Sequence, residues 1–192
     1  MEQTAVAVMT LDQFMQRYSD QGPFELIDGA PIPVNPQITR SARIAGRLFV
    51  EMTLYVKAKD LGEVFSETPF ALTADSSWVT GSRVPDLMFV QAERLTKLAA
   101  DDPQWEDKPL LLVPDLVVEI VSPTDRASEI SKKIARYVDD GVRVVWLIEP
   151  ETQTVTVYTS GSKQITQWSS GDTLDGGDMI PGFAMPVAGL FG

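Results

Sequence analysis

The chain has 192 residues, 44% hydrophobic and 22% charged, the balance of an ordinary globular domain long enough for one sizeable core, and no window approaches the roughly 18 uninterrupted apolar residues of a membrane span. It holds no cysteine and no histidine, which excludes disulfide frameworks, thiolate nucleophiles, zinc ribbons, Ser-His-Asp triads and HExxH sites together, and leaves carboxylates, lysine, arginine, hydroxyls or a hard metal for any chemistry. The formal net charge of −11 argues against a broad basic footprint for nucleic acid, and the excess sits in residues 61–120, where 4 bases face 11 acids.

One domain over residues 1–192 is expected, since there is no repeat, low-complexity segment or linker. The start, Met1 to Leu11, carries acidic Glu2 where a secretory signal would be positive, so a cytoplasmic location is expected. Thr10-Leu-Asp-Gln13 has the pattern of a capping box and predicts a helix to about Ser19, broken by Gly22-Pro23. Phe24 to Ile27 reads as a strand reaching the turn Asp28-Gly29, with Pro31 to Val34 returning along a sheet edge, where prolines are tolerated. The spacing Ile44, Leu48, Met52, Tyr55 predicts the longest helix, over Thr39 to Asp60, with Gly62 just beyond its end. Gly62 to Glu67 and Phe70 to Thr73 read as strands, and Ser76 to Ser82 as a loop.

The apolar runs Val84 to Val90 and Leu110 to Val121 are predicted as central strands, separated by a short helical stretch and an acidic, solvated loop over Asp101 to Lys108. Ala127 to Asp140 is an amphipathic helix ended by Gly141, and Val142 to Ile148 a buried strand that includes Trp146. Thr154 to Tyr158, Gln164 to Trp168 and the turn-rich Gly171 to Gly182 complete a β meander. The fold class is therefore mixed α/β: a mixed central sheet flanked by helices, with an added C-terminal meander.

Acids stand inside strands that otherwise read as buried. In Pro114-Asp-Leu-Val-Val-Glu-Ile-Val121 a period of two puts Asp115, Val117, Glu119 and Val121 on one face, and in Arg83-Val-Pro-Asp86 to Val90 it puts Asp86 with Met88 and Val90. A carboxylate there costs several kcal/mol unless it finds a cation, a hydrogen-bond network or a metal. Asp86 and Glu119 on neighbouring strands could converge on Mg²⁺, which prefers oxygen ligands; alternatively each strand acid pairs with Arg83 or Arg143, or ends in water. Asp115 reads as a turn or strand-start residue. On the helix from Ala127, Ile130, Ile134, Tyr137 and Val138 form the core stripe and Lys133 lies on its flank, able to bury its stem and present its ammonium toward the sheet, or to snorkel into solvent.

Phe24-Glu-Leu-Ile-Asp-Gly29, Arg83-Val-Pro-Asp86, Pro114 to Pro123, Lys133-xxx-Tyr137, Gly141-Val142, Val145-Trp-Leu-Ile-Glu-Pro150 and Gly171-Asp-Thr-Leu through Leu190-Phe191 resemble, in order, the Uma-type family of bacterial proteins, a branch of the PD-(D/E)XK nuclease superfamily. The resemblance runs from about Leu11 to Phe191. It implies a restriction-endonuclease-like core and Mg²⁺-dependent cleavage of DNA phosphodiesters, with Mn²⁺ as a substitute and a homodimer as the assembly. Asp86 and Glu119 would hold the metal with the backbone carbonyl of Ile120, and Glu25 would supply a further acid. The superfamily lysine would stand two residues after Glu119, where this chain has Val121; the matching lysine in this branch lies on the next helix and is Lys133.

The chain departs from the family at Ser41, where many members carry histidine. Arg40, Arg43 and Arg47 make a basic stripe that either meets a phosphate backbone or lies on a solvated face paired with Glu51. The competing reading is a nuclease fold without catalysis, kept as an interaction or regulatory module, in keeping with the acidic charge and the missing histidine.

Overall fold

The computed structural model describes residues 9–75 and 77–192, so the reading of the first residues as lacking a secretory signal falls mainly outside the described residues. A two-residue strand β1 (Met9–Thr10) leads into α1 (Leu11–Gln21). The helix starts on a complete capping box: the Thr10 hydroxyl accepts the Gln13 N–H at 3.2 Å and the Gln13 side chain accepts the Thr10 N–H at 3.0 Å. Strands β2 (Phe24–Ile27) and β3 (Ala30–Pro33) form the expected hairpin, turned by Asp28 and Gly29 with φ of 50° and 77°, the pair of positive values that matches the twist of the flanking strands. The long helix is α2 (Thr39–Ala58).

Next come β4 (Gly62–Ser66), β5 (Phe70–Asp75), β6 (Trp78–Arg83), β7 (Leu87–Gln91), α3 (Ala92–Asp101) and β8 (Leu116–Ile120). The chain ends with α4 (Ala127–Asp139), β9 (Val144–Glu149), β10 (Thr154–Thr159), β11 (Ile165–Trp168), β12 (Thr173–Asp175), β13 (Ala184–Pro186) and α5 (Ala188–Phe191). Six strands form one sheet in the order β11-β10-β9-β8-β7-β4, mixed because β8 and β9, joined through α4, run parallel while the other neighbours are antiparallel. Alternation along β7 and β8 divides the core between the two faces. Leu87, Phe89, Leu116 and Val118 pack with Ile44, Leu48 and Met52 of α2, whereas Met88, Val90 and Val117 pack with Ile134 and Tyr137 of α4. Glu119 falls on the α4 side, as its register predicts, and Asp86 stands just before β7, outside the ladder.

The single sheet of the sequence reading is corrected to two main sheets. The second follows the order β1-β6-β2-β3 with β5 also on β6, and its centre is β6, most of which falls in the segment read as a loop, Ser76 to Ser82, whose first residue lies outside the described ones. Serine and glycine there have packing reasons. A side chain at Gly81 would come within 3.1 Å of Leu72, and buried Ser82 uses its hydroxyl to accept the Leu26 N–H at 2.9 Å. The run Leu110 to Val121 is a strand only over β8; Leu110 instead makes one parallel bridge to Phe70 before the chain turns in. The C-terminal meander is real for β10 and β11, but β12 and β13 form a separate hairpin whose Leu174, Phe183 and Leu190 neighbourhood packs into the α2 core.

Arg83 of β6 ties the second sheet to the end of α4. It is buried, its Nη1 donates to the Leu26 carbonyl at 2.9 Å, its Nη2 donates to Asp140 Oδ1 at 3.1 Å just beyond α4, and its Nε lies 2.9 Å from Asp140 Oδ2. Arg83→Met strands a buried carbonyl and leaves Asp140 without its cation, so urea unfolding should show a loss of about 2–4 kcal/mol. An unchanged midpoint would mean that the clamp contributes nothing.

Candidate active site

Strand order brings Asp86 and Glu119 together. Leu87 pairs with Val118 and Met88 with Val117, so Asp86, one residue before β7, comes up beside Glu119 near the end of β8. Asp86 is held from two sides: its Oδ2 accepts the Ile120 N–H at 2.6 Å and its Oδ1 accepts Gln37 Nε2 at 2.5 Å. Pro85 precedes it and keeps this entry segment extended and out of the ladder. Burial pushes the Asp86 carboxyl above the usual range despite those hydrogen bonds.

Glu119 is 9% exposed and both its oxygens are occupied by α4. Lys133 Nζ donates to Oε2 at 2.7 Å, and the Tyr137 hydroxyl, one helical turn further on, makes a very short hydrogen bond to Oε1. Burial lifts the Glu119 carboxyl to about 7 against the pull of Lys133. For Lys133, burial alone would lower the pKa, but the carboxylates of Glu119 and Glu25 outweigh it and hold the amine above its usual range, so it stays charged. Glu25, in the middle of β2, reaches the same place from the second sheet: its Oε1 accepts the Val84 N–H at 3.2 Å and lies 3.9 Å from Lys133 Nζ.

All four candidate side chains, Glu25, Asp86, Glu119 and Lys133, therefore meet at one point, where α4 and the edge of both sheets converge. Two contributors were not singled out for this role in the sequence. Tyr137 reads as core from the helical wheel, and it is fully buried, but its hydroxyl is spent on Glu119; its position four residues after Lys133 was the available signal. Gln37 lies in the irregular segment before α2, where no periodicity points anywhere.

Asp115 and Arg47, also singled out in the sequence, have partners of their own. Asp115 sits at the opposite end of β8 from Glu119, fully buried, 2.9 Å from Arg94 and 3.4 Å from Arg143, and accepts the Gln91 N–H at 2.9 Å. It anchors the strand start. In the basic stripe, Arg47 donates to the Leu190 carbonyl at 2.9 Å, which docks the C-terminal helix onto α2. Ser41, where the family histidine is missing, is buried, with no hydrogen-bond partner for its hydroxyl among the described residues.

The charge balance decides whether a metal fits. Three carboxylates, Glu25, Asp86 and Glu119, face one ammonium in a largely desolvated pocket, an imbalance that a divalent cation would offset. Among the described residues no three acids lie close enough to hold an ion by themselves. The donors are all oxygen, two carboxylates with the nearby main chain, which suits Mg²⁺ or Mn²⁺ because these ions keep several waters and need few protein ligands.

The Uma2 family model, described as "Putative restriction endonuclease", matches residues 11–188. The chain belongs to the Uma2 family. The Uma2 chain also resembles a solved structure described as a putative nuclease belonging to DUF820 from Anabaena variabilis ATCC 29413, with a TM-score of 0.75 and 22% sequence identity, over 95% of this chain and 97% of that one. At that identity the likeness is one of fold, and it supports the mixed α/β architecture. No curated protein matches the Uma2 chain in sequence. Among the described residues no helix is long and apolar enough to cross a membrane.

Proposed function

We propose that this Uma2 protein is a Mg²⁺-dependent endonuclease that hydrolyses DNA phosphodiester bonds, with Asp86 and Glu119 as metal ligands, the Ile120 carbonyl as a third, and Lys133 as the cation displaced from the strand onto α4. The observation that carries the reading is the 2.7 Å contact between Lys133 and Glu119, which restores to the site the lysine that Val121 removes from the strand. When bound, Mg²⁺ supplies a Lewis acid for the scissile phosphate and a water acidified toward neutral pH.

The chain's own residues do the rest. The Ile120 N–H and Gln37 fix the Asp86 carboxylate, so that its orientation is set before substrate arrives. Tyr137 holds one oxygen of Glu119 and leaves the other shared with Lys133. The Lys133 ammonium, kept charged by Glu119 and Glu25, orients the attacking water and stabilises the negative charge that builds on the phosphate. Glu25 restrains the free end of Lys133 from the second sheet, which keeps the ammonium aimed at the site. No step needs a histidine.

Incubation of the pure protein with supercoiled plasmid and with single-stranded DNA, in Mg²⁺ and in EDTA, tests the reading. Cleavage that appears with Mg²⁺, disappears in EDTA and is absent from Asp86→Asn is expected. Cleavage that survives Asp86→Asn, or none on either DNA, would overturn it.

A further inference from the structure

A cleft of about 840 Å³ opens directly from Asp86, a volume in the range that holds a small-molecule ligand. One wall is a single face of α2, where Ala42, Ala45 and Gly46 recur at helical spacing with Phe49; the small residues make the space and Phe49 lines it. Tyr18 of α1 lines it too, and Glu67 stands with Asp86 at its polar end. Glu67 has φ of 48°, a left-handed conformation that a glutamate adopts at some cost, and its N–H donates to the Asp86 carbonyl at 3.1 Å. Tyr18 senses the same carboxylate, since burial and then Glu67 raise its phenol above the usual range.

The cleft's chemistry selects its occupant. No lysine or arginine is among the described residues that line it, and two carboxylates are, so it repels a phosphate. Its apolar and aromatic lining suits the uncharged face of a nucleobase, because base stacking on aromatic rings is tolerant of sequence and needs no cation. A phosphodiester reacting at Asp86 and Glu119 carries its own base one sugar away, at the mouth of this cleft. A paired and stacked base is not free to enter.

We infer that the cleft between α1, α2 and Asp86 receives an unpaired nucleobase next to the scissile phosphate, so that the enzyme acts on single-stranded or locally opened DNA. This rests on the nuclease reading and names its substrate class. A single site then suffices for each cut.

Gly46→Leu is the test, because a Cβ at Gly46 meets nothing within 4 Å, so the fold should tolerate it, and Ala42→Phe is the second filling variant. Binding of a fluorescein-labelled 12-nucleotide single strand and of its duplex is read by anisotropy in Ca²⁺, cleavage of both in Mg²⁺, and Mg²⁺ uptake by calorimetry. Wild type is expected to bind the single strand at least about tenfold more tightly than the duplex. The filling variants should lose about that factor, expressed in KM rather than kcat, while Mg²⁺ uptake stays unchanged. Duplex bound or cut as well as the single strand, or filling variants that behave as wild type, would overturn the inference and leave the nuclease reading standing. Loss of Mg²⁺ uptake and cleavage in wild type would instead overturn the nuclease reading, while the binding ratio still decides what the cleft accepts.

Discussion

Glu119→Gln loses Mg²⁺-dependent cleavage by at least about 10³-fold while remaining folded, if the proposed site is the catalytic one. The substitution keeps the shape of the side chain, with its one oxygen accepting from Lys133 and its NH₂ free to donate to the Tyr137 hydroxyl, but it removes the negative charge that a hard cation requires. It also removes a charge whose burial is unfavourable, as the rise of its pKa to about 7 indicates, so the metal-free variant should melt no lower than wild type. Single-turnover cleavage and a thermal melt on the same samples check both halves. Wild-type turnover would reduce Glu119 to a structural acid that Lys133 neutralises, and a collapsed melt would show that the ion pair is needed for folding.

Lys133→Ala separates metal holding from chemistry. Cleavage should fall by about 10²–10³-fold, the worth of one well-placed stabiliser of transition-state charge. Mg²⁺ uptake should persist or tighten, because removing the ammonium beside Glu25 and Glu119 leaves the pocket more negative. Lys133→Arg keeps the charge on a wider, planar group and should recover only part of the rate. Full activity in Lys133→Ala would contradict the assignment of the helix lysine to this role; loss of metal uptake together with activity would point to a disrupted site instead.

These residues were legible in the sequence because they break patterns. A glutamate among the valines of β8 and an aspartate at the entry of β7 are expensive where they stand, and period-two alternation grouped Asp86 with Met88 and Glu119 with Val117, which pack on the α4 side. The helical wheel placed Lys133 at the edge of the buried stripe, within reach of the sheet. Gln37 was not legible, since it acts from an irregular segment whose course depends on how the β2-β3 hairpin and α2 are joined. Tyr137 concealed its polar role inside an apolar pattern: it is core and hydrogen-bond donor at once.

The elements misread share another cause. β6 is composed of small and polar residues that usually mark loops, and only its neighbours on both sides, β5 and β2, make it a strand. Leu110 to Val113 is apolar because Leu110, Leu112 and Val113 pack on the α4 side of the core and Leu111 against Phe14 and Phe24, without joining a ladder beyond one bridge. Local sequence reports burial well in both cases and pairing poorly, because pairing depends on residues far away in the chain. Even so, the site survives the correction from one sheet to two, since it is assembled from β7, β8 and α4, whose order the sequence does specify. What the second sheet adds is Glu25, delivered by β2 and fixed relative to α4 by the Arg83 clamp.

Calorimetric titration of Mg²⁺ into wild type and Asp86→Asn tests the central claim most directly, because it asks whether the two strand acids hold a cation without depending on the choice of DNA. Uptake of Mg²⁺ by wild type, abolished in the variant with an unchanged melt, is the predicted result. No uptake by wild type, or equal uptake by both proteins, would contradict the metal-dependent nuclease and leave Asp86, Glu119 and Lys133 as a buried charge network in a nuclease fold kept for another purpose.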